Sequence, residues 1–218
     1  MDAAPIIAGW KRRLVALADR PEYVFRDTPH HLIEQHDRRL TTFAGYTETE
    51  VAAAEARLDV RFPGVFREYL REMAKSPGDL FRGSDLAGVH ELEQFRAEAL
   101  ELLAETDPAL TLPPRAVVFL LHQGYTFVYL LAAGGFDGPL MQWTETEREP
   151  RQVAAGFADM VDAELRLMES NNAELRNRGG SYLTFHPEGG STQSHPALAS
   201  GERPLDQAPT GKPWWQFW

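Results

Sequence analysis

The sequence predicts an α+β fold, one antiparallel sheet of about four to six strands with helices packed mainly on one face. Three observations carry that expectation. Residues 115–143 alternate apolar runs with glycine-bearing turns, the pattern of an antiparallel meander. Residues 47–73 hold two short apolar stripes on either side of a tight corner. Residues 92–103 and 153–168 each repeat apolar side chains at the spacing of one helix face.

At the start of the chain, Ile6, Ile7, Trp10, Leu14 and Leu17 recur at helical spacing with Lys11, Arg12 and Arg13 on the other side. This predicts an amphipathic helix over residues 5–20. A basic helix with one Trp can lie on a membrane, but this one is short and weakly charged, which favours docking on the domain or on a partner. Pro21 and Pro29 bracket a short strand or extended link at residues 22–27, and residues 31–40 add a helical turn or two.

The corner at residues 55–70 organises the rest. Thr47 and Glu50 stand three apart, so hydroxyl and carboxylate can each satisfy an orphan N–H at a helix start, a capping box with Thr47 as the cap. Pro63, with no N–H to lose, is expected at the first position of the next helix, whose buried face is Phe66, Tyr69, Leu70 and Met73.

Ser76-Pro77-Gly78-Asp79 ends the second helix, and Leu80 and Phe81, then Leu86 and Val89, read as brief extended pieces. Leu92, Phe95, Ala99, Leu102 and Leu103 form a long stripe closed by Thr106-Asp107-Pro108. Residues 116–121 are apolar throughout, as in a central strand covered on both faces. His122-Gln123-Gly124 turns the chain, Gly124 supplying positive φ; residues 125–131 return, residues 134–139 turn again, and residues 140–143 make a third strand. Val153, Phe157, Met160, Val161, Leu165 and Met168 predict one more helix. From residue 171 to 190 periodicity is lost, with residues 181–185 as a possible edge strand. Residues 187–213 read as irregular, and the tip Trp214, Trp215, Phe217 and Trp218 is expected in a groove of its own domain, with a partner as the alternative.

Glu55, Leu58, Val60, Phe62, Pro63, Tyr69 and Leu70, followed by the apolar strand, the His-Gln-Gly-Tyr turn at residues 122–125 and the Asp-Gly-Pro turn at 137–139, resemble the SUKH superfamily. That group includes fungal cell-wall assembly regulators and bacterial toxin-immunity proteins. The resemblance covers about residues 46–170, with Glu55, Leu58, Pro63, Leu70 and Gly124 as its structural positions. Asp59 departs from it, since the family usually has Gly there, and Asp tolerates the left-handed backbone of such a turn better than most non-Gly residues. A single SUKH-like domain is thus expected over residues 46–186, preceded by a helix and link at 1–45 and followed by a tail at 187–218. The resemblance implies a non-enzymatic protein-binding module, either an immunity protein that neutralises a cognate toxin stoichiometrically or an intracellular scaffold or regulator.

Composition narrows the chemistry. The 218 residues contain no Cys, which removes disulfides, thiolate zinc sites and a Cys nucleophile. No apolar run approaches a membrane span and no basic region leads an apolar one at the start, so a cytoplasmic protein is expected. The formal net charge is -10, and residues 46–178 carry it with 13 Lys and Arg against 23 Asp and Glu. That balance disfavours nucleic acid and favours a basic protein partner, against the plainer reading of a surface kept soluble. Glu145, Glu147 and Glu149, with Asp79 and Asp85, are the candidate partner-binding residues. His30, His31 and His36 lack metal-ligand spacing. His122 has no nucleophile near it in sequence, and the Gly pairs at 134–135 and 179–180 match no phosphate loop. No metal or cofactor is expected, and a hydrolase using His122 or paired carboxylates is the rival reading.

Overall fold

The computed structural model describes residues 2–18, 30–177, 183–186 and 190–193. Six helices and a five-stranded antiparallel sheet make the α+β architecture. In chain order they are α1 (Ala4–Ala18), α2 (His30–Thr41), α3 (Glu48–Leu58), α4 (Gly64–Glu72), β1 (Asp85–Leu86), α5 (Leu92–Thr106), β2 (Ala116–His122), β3 (Thr126–Leu131), β4 (Leu140–Thr144), β5 (Arg151–Ala154) and α6 (Phe157–Asn177). The strands lie in sequence order, β1 to β5. A separate hairpin pairs β6 (Leu183–His186) with β7 (Gly190–Gln193).

The corner forms as its residues dictate. Thr47 and Glu50 make the reciprocal capping box, with the Thr47 N–H donating to Glu50 at 2.7 Å and the Glu50 N–H donating to the Thr47 hydroxyl at 3.2 Å. Asp59 closes α3 with φ 52°, so the residue that departs from the family pattern adopts the left-handed turn itself. Pro63 sits one position earlier than expected, as the N-cap of α4 with φ -57° and ψ 146°. The difference is one residue of boundary, because the fixed φ of Pro suits either place.

One continuous core joins the corner to the sheet. Val51, Ala54, Phe62, Val65, Phe66, Tyr69 and Leu70 share it with all of residues 116–121, Phe127 to Leu130, Leu140 and Trp143. Aromatic rings join the layers: Phe66 lies 5.5 Å from Phe119 and 5.1 Å from Phe157, and Tyr69 lies 4.9 Å from Phe157. Contacts at these separations add to area burial by edge and face attraction. Helix α1 enters the same core through Ile7, Trp10, Leu14 and Leu17. Its basic side is tied down as well, Arg13 to Asp162 at 2.9 Å and Glu169 at 2.7 Å, and Lys11 to Glu72 at 2.7 Å.

Several sequence expectations shift. Leu80 and Phe81 are not extended: they are buried in a turn where Phe81 has φ 53°. Val153 belongs to β5, not to the last helix, because its neighbours Arg151, Gln152 and Ala154 pair with β4; Val153 itself is the residue skipped where the register shifts. Helix α6 runs on to Asn177, since Ala173-Glu174-Leu175-Arg176 are all strong helix formers even without an apolar stripe. Residues 183–186 pair with β7 rather than with the main sheet, and residues 190–193 are strand rather than irregular. The proposed link at 22–27, the remainder of the tail and its aromatic tip lie outside the described residues.

Candidate functional site

The candidate surface is the end of the sheet where β1 starts, β2 turns into β3, and β4 ends. Register fixes this grouping. Asp85 pairs with Leu121, His122 with Thr126, and Thr126 with Thr144. The Glu145 N–H then donates to the Tyr125 carbonyl at 3.0 Å. Asp85, the Gln123-Gly124 turn, Tyr125 and Glu145 therefore follow one another along one edge. From β1 to β4 is three strand spacings, about 14 Å. The turn needs positive φ at both Gln123 (50°) and Gly124 (75°), which matches the twist of the flanking strands.

The five acidic candidates divide by exposure. Asp85, Glu145 and Glu149 face solvent. Glu147 is held by Arg151 at 2.7 Å. Asp79 is 8% exposed and accepts from Arg39 Nε at 2.9 Å, with Arg82 at 3.8 Å. The first three are exposed; the last two are engaged within the chain.

Two clefts meet beside β1 and share Lys75, Asp85 and Leu86. One, of about 530 Å³, adds Tyr46, Glu91, Phe95 and Glu98. The other, of about 330 Å³, adds Asp79, Ser84 and Phe81. Lys75 is neutralised by Glu50 at 3.2 Å and lies 4.5 Å from the Tyr46 ring centre. Glu91 and Glu98 escaped the sequence reading, though seven positions is two helical turns and their shared face was there to find. Burial, and then the charges of Glu91 and Glu50, push the Tyr46 phenol up.

His122 has a hydroxyl neighbour that sequence distance concealed. The Ser84 Oγ lies 3.0 Å from His122 Nδ1 across 38 positions of chain. A Ser–His pair is the nucleophile and base of acyl transfer, but this imidazole is 1% exposed. Burial holds its pKa below the usual histidine range, while a hydrogen bond to the Gly83 backbone and the Asp85 charge act the other way. The contacts pin the segment before β1 onto β2. Among the described residues no group of His, Cys, Asp or Glu is arranged to hold a metal ion, and His36 is buried beside Asp79.

At the corner, Glu55 is 6% exposed. It accepts from the Phe62 N–H at 2.8 Å and from Arg67 Nε at 3.3 Å, and Arg67 also donates to Glu48 at 3.0 Å. Leu58, Pro63 and Leu70 surround it in sequence, with Pro63 and Leu70 buried and Leu58 packed against the core. These positions build the scaffold that presents the sheet end.

No helix among the described residues is long and apolar enough to cross a membrane. A comparison with curated proteins finds no match. The family model SMI1 / KNR4 (SUKH-1) matches residues 45–163, more than half of the chain, from the capped start of α3 through the meander into α6. The chain therefore belongs to the SMI1 / KNR4 family (SUKH-1).

Proposed function

We propose that this chain is a non-enzymatic binding protein acting as an immunity protein, which neutralises a basic toxin domain by stoichiometric occlusion. The observation that supports this reading is the shared position of Asp85, Glu145 and Glu149 at one end of the sheet, with the acidic cleft of Glu91 and Glu98 beside it. Exposed carboxylates at one sheet end steer a basic partner and raise its association rate. The half-buried Tyr125, whose ring packs edge-on against His122, adds an aromatic group to this end. Family membership supports a protein-interaction role, and the toxin assignment is the finer step.

The test is co-purification and growth protection with the toxin encoded beside this chain. The expected result is a one-to-one complex at low salt, weakened by charge reversal at Asp85, Glu145 and Glu149. Neither complex nor protection would defeat the reading. Ser84→Ala separates it from hydrolysis: protection by occlusion survives that change, whereas a Ser-dependent hydrolase loses its activity.

A further inference from the structure

The opposite end of the sheet holds two exposed arginines. A cleft of about 620 Å³ opens between α3 and the chain just beyond β3, lined by Ala52, Ala56, Ala132 and Ala133 with Arg61 and Arg115. We propose that this cleft docks an acidic, extended peptide segment of a partner protein, with Arg61 and Arg115 as its two anchors. The inference concerns a different surface from the carboxylate edge and does not depend on the toxin assignment.

The backbone fixes both arginines to one short segment. The Ala132 N–H donates to the Arg115 carbonyl at 2.9 Å, and the Gly134 N–H donates to the Arg61 carbonyl at 3.0 Å. Arg61 also bridges Ala133 in parallel. Residues 132–134 are thus hydrogen-bonded to the backbones of both arginines through an irregular segment, in which the Ala133 N–H donates to the Leu131 carbonyl at 2.9 Å and Gly134 has φ 74°. Both side chains are exposed, and neither makes an ion pair or side-chain hydrogen bond with the described residues. Lys11, Arg13, Arg57, Arg67 and Arg71, by contrast, are each held by a carboxylate.

The neighbouring acids do not cancel this charge equally. Glu55 lines the cleft, but its two oxygens are taken by the Phe62 N–H and Arg67. Asp59 is exposed at the rim and is the one competing carboxylate. The alanine floor lets a backbone come close, and in an extended chain the side chains of one face recur at every second residue, about 7 Å apart, so carboxylates two positions apart face the cleft and its arginines together. Arginine forks bind carboxylates in two parallel bonds, which gives direction as well as attraction. In a chain of net charge -10, two arginines that no carboxylate among the described residues engages are a local attraction for an acidic ligand.

The experiment is a backbone-amide NMR titration of the full chain at low salt with a short Gly/Ser peptide bearing two Glu two positions apart. Saturable shifts confined to residues 52–61 and 132–134, weakened about tenfold or more in Arg61→Ala/Arg115→Ala and unchanged in Arg12→Ala, are expected. No saturable shifts, shifts that spread over the Arg12 surface, or shifts indifferent to the double variant would overturn the proposal. Equal shifts from inorganic phosphate at the same concentration would also overturn it, leaving an anion site without peptide recognition. Thermal melts of both variants check that they remain folded, which exposed side chains without partners permit.

Discussion

The carboxylate of Asp137 caps a helix that begins 20 residues later: it accepts the Phe157 N–H at 2.8 Å and the Ala158 N–H at 3.0 Å. It also accepts the Gly138 N–H at 2.9 Å. A negative group at the positive end of α6 satisfies donors that the helix cannot pair itself. Gly156 stands against this carboxylate, and a Cβ there would lie 2.3 Å from Asp137 Oδ2. Loss of the cap in Asp137→Ala is expected to cost about 1–2 kcal/mol. Gly156→Ala is expected to destabilise the wild-type chain but much less in the Asp137→Ala background, a coupling that a denaturation double-mutant cycle measures. Additive effects would show that the cap and the glycine are independent.

Glu55 does the equivalent work at the helix corner. Replacing it by Ala strands the buried Phe62 N–H and removes one carboxylate from Arg67. The expected loss is about 3 kcal/mol, the scale of an orphaned buried donor plus a broken ion pair. Glu55→Gln keeps an acceptor for Phe62 and is expected to lose roughly half as much. Equilibrium urea unfolding distinguishes the two, and equal losses would place the stabilisation in the charge rather than in the backbone bond.

Both contacts show where sequence is readable and where it is not. The capping box is visible because Thr47 and Glu50 are three residues apart, and the buried stripe of α4 is visible because its period is local. Asp137 and Phe157, or Ser84 and His122, are joined only by the fold. Val153 falls at helical spacing from Phe157, yet the pairing of Gln152 and Ala154 with β4 holds it in a strand. The carboxylates were legible as a composition bias, but composition does not separate Asp85, left in solvent, from Asp79, engaged by Arg39.

That separation predicts different phenotypes for two similar substitutions. Reversing Glu145 and Glu149 to Lys is expected to slow association with a basic partner about tenfold at low salt, to leave dissociation nearly unchanged, and to lose its effect at high salt. Asp79→Asn is expected to lower thermal stability, because Arg39 then faces a neutral buried group. Stopped-flow association and melting curves read the two effects. A faster dissociation in the Glu145/Glu149 variant would place these residues inside the contact rather than along the approach.

Glu164 gives the chain a pH dependence of definite sign. Its carboxylate accepts the Phe81 N–H at 3.2 Å beneath a turn where Phe81 has φ 53°. Burial pushes its pKa up from 4.5 to about 7, against the lowering effect of that backbone bond. Between these values the folded chain keeps a proton that the unfolded chain has released, so stability falls as pH rises through the window and stays reduced above it. The deficit is about 3 kcal/mol at most. His122 acts oppositely: its pKa is lowered by burial, so its contribution is present above the ordinary histidine value of about 6.5 and is lost as pH falls below it. Comparing wild type with Glu164→Gln cancels the histidine, which both chains share. The Gln variant is expected to gain stability over wild type progressively from pH 5 to pH 8, measured by urea unfolding, while a constant difference across that range would mean that Glu164 is ionised in the folded chain throughout.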